Sequence, residues 1–148
     1  MRLFIAEKPS LGKAIAAELG VTQTCQGYMV CGNDVVTWCF GHLLEQYDPD
    51  DYNETWKLWR RSSLPMIPRG WRLKPKKDAL TQLQIINHLL SEAATVVNAG
   101  DPDREGQLLV DEVLEHFSYY GPVQRIWLAS LDSRSIQKAL ATLKDNRD

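Results

Sequence analysis

No stretch of this chain is apolar for long enough to cross a bilayer, and the early run Leu3-Phe4-Ile5-Ala6 is broken by Glu7 before it reaches the length of a secretion-signal core. Neither export nor membrane insertion is expected. Cysteine is scarce as well. Cys25, Cys31 and Cys39 are odd in number and form no CxxC pair, which argues against a disulfide framework, leaves no visible zinc site and suits the reduced thiols of a cytoplasmic protein. Internal repeats and low-complexity segments are missing too. A further absence is local: from Lys57 to Lys77 there are eight basic residues and no acid, although the whole chain carries a formal net charge of -2. Setting those eight aside leaves -10 for the remainder.

The 148 residues, 44% hydrophobic, are enough to bury one substantial core, and a single domain over 1–148 is the simplest expectation. Strand signals alternate with helix signals. A strand is expected near residues 2 to 6, then a helix from Leu11 to Leu19, capped by Ser10 and ended by Gly20. A hairpin follows, with arms Tyr28–Cys31 and Val35–Phe40 around Gly32-Asn33-Asp34. Leu80, Leu83, Ile86 and Leu90 mark an amphipathic helix, Thr95–Ala99 a strand, and Leu108–Leu114 a further helix. Val123–Leu128 reads as a strand, and Ile136, Ala139, Leu140 and Leu143 as a last helix capped by Asp132 or Ser133. This alternation implies an α/β fold with a mainly parallel sheet flanked by helices.

Between the Thr95 strand and the Leu108 helix lies Gly100-Asp101-Pro102-Asp103-Arg104-Glu105-Gly106, three carboxylates at alternate positions in a glycine-bounded turn. In extended backbone, residues two apart point the same way, so Asp101 and Asp103 can meet on one hard ion. Magnesium, held by one or two carboxylates plus water and substrate phosphate, fits best. Two other readings remain open. The segment could be a solvated surface turn, or a calcium loop, since Asp101, Asp103, Glu105, Gly106 and Glu112 fall at positions 1, 3, 5, 6 and 12 of that pattern. Leu109 in the ninth position and the β-branched approach through Thr95-Val96-Val97 speak against calcium.

Glu7 ends the first strand as Asp101 follows a later one. Ligands of open α/β sheets bind beyond the carboxyl ends of the strands, so the two acids would converge if those strands are neighbours. The segment from Gly41 to Asp78 is long for an irregular connection and therefore of functional interest. Its basic tract carries Trp59 and Trp71, with Trp56 just before, the mixture expected where cations meet phosphates and rings meet bases; the alternative is a solvated loop pinned by its tryptophans.

Together, Ala6-Glu7-Lys8-Pro9-Ser10, Gly41-His42-Leu43, Leu64-Pro65 with Pro68 and Trp71, and Asp101-Pro102-Asp103-Arg104-Glu105-Gly106 resemble the N-terminal Toprim domain of type IA DNA topoisomerases, most closely the bacterial topoisomerase III group. The resemblance implies a Rossmann-like Toprim fold with a long basic, tryptophan-containing insertion. It implies an enzyme that cuts one DNA strand by tyrosine attack, passes another and reseals without ATP, relaxing or decatenating DNA. Glu7, Asp101 and Asp103 would form the magnesium centre with Glu105 in support, and Lys8 would sit against the scissile phosphate. Arg104, Trp59, Arg60 and Arg61 would contact DNA, mainly in single-stranded segments, and His42 would orient a phosphate or a carboxylate. Tyr28, Tyr47, Tyr52, Tyr119 and Tyr120 lie in no context matching the family's nucleophile, so that tyrosine is expected in a later domain of the same enzyme, acting in the cytoplasm at the nucleoid. The 148 residues alone are expected to bind metal and, weakly, DNA without turning over. The rivals are a stand-alone Toprim nuclease or primase-like enzyme, and a non-catalytic calcium or nucleic-acid binding module.

Overall fold

The computed structural model describes residues 1–58, 60–70 and 72–148. Nine strands and five α-helices are present among them: β1 (Arg2–Ala6), α1 (Pro9–Leu19), β2 (Gln23–Cys25), β3 (Tyr28–Cys31), β4 (Asp34–Trp38), β5 (Leu44–Gln46), α2 (Pro49–Tyr52), β6 (Leu73–Pro75), α3 (Leu80–Glu92), β7 (Thr95–Ala99), α4 (Arg104–His116), β8 (Val123–Arg125), α5 (Ser133–Ala141) and β9 (Lys144–Asp145). Seven strands make one sheet in the order β2-β3-β4-β1-β7-β8-β9. Its centre, β4-β1-β7-β8, is parallel throughout, whereas β2, β3 and β9 run antiparallel to their neighbours at the margins.

The parallel centre follows from the composition of its strands. Leu3, Phe4, Ile5 and Ala6 of β1 are wholly buried, as are Val96, Val97, Asn98 and Ala99 of β7. Strands this apolar on both faces need a helical layer on each side. Leu3, Ile5 and Val96 pack with Leu83, Ile86 and Leu89 of α3 and Leu109, Val110 and Val113 of α4. Phe4, Ala6, Val97 and Ala99 face the other way, onto Leu11 and Ile15 of α1 and Ile136 and Ala139 of α5. Each large side chain so buried contributes roughly 1.5–3 kcal/mol.

Several boundaries differ from expectation for physical reasons. α1 begins at Pro9 and is preceded by Lys8 as N-cap, so Ser10 lies inside the helix; proline's fixed φ suits a first helical position. α4 begins at Arg104 because Asp103 caps it, four residues before the apolar stripe announces it. The eighth strand ends at Arg125, though Ile126 still donates its N–H to the Asn98 carbonyl at 3.1 Å. β2 and β9 carry no apolar alternation and form only by edge pairing. The connection from Gly41 to Asp78 is less irregular than expected. β5 and β6 pair antiparallel at its base, with Leu44 opposite Pro75, and Lys74 is bound by Asp48 at 3.1 Å and by Asp51.

β1 is the point where the order of strands reverses, since β4 lies on one side of it and β7 on the other. Crevices at such points, beyond the carboxyl ends of the strands, are where α/β folds hold ligands. Ala6 and Ala99, the last residues of β1 and β7, are paired in register there.

Candidate functional site

Glu7 and Asp101 do converge. The Glu7 carboxylate accepts the Asp101 main-chain N–H at 2.8 Å through Oε2. The Asp101 side chain makes no hydrogen bond or ion pair with any described residue and is half-exposed, leaving its oxygens open to a ligand. Asp103 is exposed and caps α4, its Oδ1 accepting the Gly106 N–H at 2.7 Å. That bond satisfies one of the free donors of the helix start.

The turn is closed by two glycines in backbone contact. A Cβ built on Gly100 would overlap the Gly106 carbonyl, and one on Gly106 would lie 2.5 Å from both the N and the O of Asp101. Only residues without a side chain permit this approach, which presses the first turn of α4 onto the end of β7 and puts Asp101 at the mouth of the crevice.

Glu105 is placed differently. Its side chain, 79% exposed, reaches His42 Nε2 at 3.5 Å, while His42 Nδ1 lies 3.1 Å from Glu112 Oε2, two turns further along α4. His42 thus lies between two carboxylates of α4. Lys8, Arg104, Arg60 and Arg61 are exposed, and their charges meet no acid among the described residues. Trp59 and Trp71 lie outside the described residues. Trp56 is half-exposed and lines, with Tyr47, Tyr52, Asn53, Arg69 and Arg72, a surface cavity of about 420 Å³ in the connection.

No group of three or more His, Cys, Asp or Glu side chains is clustered tightly enough among the described residues to enclose a metal. The calcium-loop reading is corrected here on independent grounds: α4 already runs from the fourth position of the would-be loop through the twelfth, and Glu112 is engaged by His42. Gly100 and Gly106 are buried and Glu7 is tied to the turn, while Asp103 and Glu105 are exposed to solvent. An all-oxygen donor set with an unengaged carboxylate fits magnesium completed by water and phosphate.

Sequence reasoning missed the residue beneath the turn. Arg125 on β8 is 2% exposed, and its guanidinium donates to the carbonyls of Asn98 (3.2 Å), Gly100 (3.0 Å) and Asp101 and to Asn98 Oδ1 (2.8 Å). Burial pushes its pKa down, and the carboxylates of Asp111, Asp103, Asp101 and Glu7 oppose that shift. An arginine amid an apolar strand was the available signal, since a buried charge requires partners. Asn98, Gln107, Asp111 and Asn146 extend the polar network: Asn98 Nδ2 and Asn146 Nδ2 donate to Asp111 Oδ1 at 3.1 and 2.9 Å, and Gln107 Nε2 donates to Asp111 Oδ2 at 2.8 Å.

Comparison with known proteins gives the family and the fold. Residues 2–131 match the family model described as the Toprim domain. The chain is 48% identical over 153 residues to the DNA topoisomerase 3 of Vibrio cholerae, an alignment that takes in 99% of this chain and 24% of that protein. It is 49% identical over 154 residues to the DNA topoisomerase 3 of Haemophilus influenzae, covering 100% and 24%. The chain therefore spans about a quarter of the length of these curated relatives. Among solved structures, full-length topoisomerase I from Thermotoga maritima superposes with a TM-score of 0.63 at 16% identity, over 97% of this chain and 21% of that one, a likeness of fold.

Proposed function

This chain belongs to the Toprim domain family, and from that premise we propose that it is the metal-binding catalytic domain of a type IA DNA topoisomerase, which breaks and rejoins one DNA strand through a phosphotyrosine ester. The observation that carries the proposal is the meeting of Glu7 with Asp101 at the reversal of the sheet, where the Asp101 carboxylate has no partner among the described residues. The topoisomerase names of the relatives supply the rest of the reading.

In this mechanism Glu7, Asp101 and Asp103 would hold Mg2+, with Glu105 in support. The ion supplies charge neutralisation at the reacting phosphate. Lys8, exposed at the N-terminus of α1, adds a positive charge against the same phosphate, where donors and cations lower the barrier most. As the tyrosine oxygen bonds to phosphorus and the sugar oxygen leaves, one proton must depart from the tyrosine and one must reach the sugar. Moving such a proton is the role assigned to the Glu7 carboxylate. Resealing reverses both transfers, which is why no ATP is required. Arg104, Arg60, Arg61 and Trp59 contact the strand, mainly where it is single. The tyrosine comes from another domain of the same enzyme, which relaxes or decatenates DNA in the cytoplasm at the nucleoid.

The test is calorimetric titration of Mg2+ and Ca2+ into the chain and into Glu7→Gln, Asp103→Asn and Glu112→Gln, with folding checked for each. Mg2+ binding lost in the first two and kept in the third is the expected result. Ca2+-selective binding lost with Glu112→Gln and indifferent to Glu7 overturns the reading. In parallel, the 148 residues are expected to bind DNA weakly and to leave supercoiled plasmid unrelaxed. Nicking of the plasmid, abolished by Asp103→Asn, would make the chain a nuclease instead.

A further inference from the structure

Among the described residues Arg125 is the largest fully buried side chain, and its hydrogen bonds to the acid turn all go to main-chain oxygens. Its two terminal nitrogens bind three carbonyls within four residues of backbone, those of Asn98 near the end of β7, Gly100 and Asp101. Asn98 Oδ1 joins them and in turn accepts the Gly100 N–H at 3.0 Å. The Nε–H is buried without a partner. A buried cation with one donor left over is no gain to a core on stability grounds, since apolar residues of similar volume often serve as well or better. Its planar fork does what no apolar residue can, by fixing the direction of several carbonyls at once.

We propose that Arg125 is the positioning residue of the metal centre: its guanidinium pins the carbonyls of Asn98, Gly100 and Asp101, so that the Asp101 N–H stays on Glu7 and the Asp101 carboxylate is held open toward the crevice. The inference rests on the reading of Glu7 and Asp101 as magnesium carboxylates. Positioning and charge act here with opposite signs. Glu7, Asp101, Asp103 and Asp111 all feel the guanidinium, and a fixed positive charge among them weakens their hold on a second cation. Loss of that charge by itself would tighten Mg2+ binding. Loss of the fork lets the turn move and weakens it, and the fork dominates because the carboxylate must be presented in one orientation.

Two variants separate the effects in the full 148-residue chain. Arg125→Lys keeps the charge and loses the fork; Arg125→Met loses both and fills similar space. For each, Mg2+ affinity is measured by calorimetry, and protection of the Asp101 amide is measured by hydrogen exchange in metal-free protein. Both variants are expected to bind Mg2+ at least tenfold more weakly and to lose Asp101 protection, while core amides of β1 remain protected. If Arg125→Met does not fold, Arg125→Lys decides. Either readout unmoved in Arg125→Lys overturns the proposal, and so does tighter binding in Arg125→Met. If the unaltered chain binds no Mg2+, the metal reading fails on its own, and the Asp101 amide alone decides whether Arg125 positions the turn.

Discussion

Glu7 and Asp101 stand 94 residues apart in the chain and 2.8 Å apart in the fold, the carboxylate of one accepting the main-chain N–H of the other. The bond joins the ends of two adjacent parallel strands and uses only one oxygen of Glu7. Its consequence is that Oε2 is engaged by the turn while the other oxygen has no partner among the described residues.

Glu7→Gln keeps an oxygen that can accept the Asp101 N–H but removes the charge. The variant is expected to melt within a few degrees of the unaltered chain and to bind Mg2+ at least tenfold more weakly. Calorimetric melting and titration check both halves, and a large fall in melting temperature would show that the charge itself holds the strand ends together.

Gly106→Ala drives a Cβ to 2.5 Å from the Asp101 backbone. Overpacking of backbone against backbone costs about 1–3 kcal/mol or more, and the shift falls on the Asp101 segment. Urea unfolding should register that loss, together with weaker Mg2+ binding. Gly70→Ala, which meets nothing within 4 Å, is expected to change stability by less than about 0.5 kcal/mol.

Cys39 is completely buried, and burial, with a smaller push from the charge of Glu7, raises its thiol pKa to about 12. The ordinary value is 9.0. Because the folded pKa is the higher one, the thiol's contribution is intact below about pH 9 and is lost as pH rises toward about 12. Cys39→Ser, with a hydroxyl that does not ionise in this range, should therefore show a shallower decline in stability between those limits. In the native protein at pH 8, iodoacetamide should modify the half-buried Cys25 well before Cys39, read by peptide mass spectrometry.

Arg60 and Arg61 meet no acid among the described residues, whereas Lys74 is occupied by Asp48 and Asp51. Each phosphate contact to single-stranded DNA adds about 0.7 to the slope of log affinity against log salt. Replacing both arginines by alanine should lower the slope for oligothymidine by about 1.4, and Lys74→Ala should lower it less. Fluorescence anisotropy across a salt series checks this, and an unchanged slope in the double variant would remove these arginines from the interface.

Much of the site was legible in the residues because its determinants are local. Strand-then-acid placement put Glu7 and Asp101 at strand ends, and the glycines bounding the turn announced a tight backbone. Asp103 was read only as a ligand, although its capping of α4 is equally a local signal. Glu112 entered only as a calcium ligand, since its tie to His42 spans 70 residues and leaves no trace in either neighbourhood. The edge strands β2 and β9 were missed for a related reason: they are short and exposed, and only a partner's open hydrogen bonds make them strands.

The sequence by itself determined the α/β alternation, the apolar strands that demand helices on both faces, the carboxylates of the turn and the acid-free basic tract. These depend on side-chain type and on spacings of two to four residues, which a chain carries before it folds. Only the tertiary structure decided that β1 and β7 are neighbours, that Glu7 therefore meets the Asp101 amide, that His42 spans Glu105 and Glu112, and that Arg125 lies beneath the turn. Each of those relations joins residues far apart in sequence, and each exists because burying two faces of one sheet leaves a single arrangement in which the strand ends, and the charges they carry, come together.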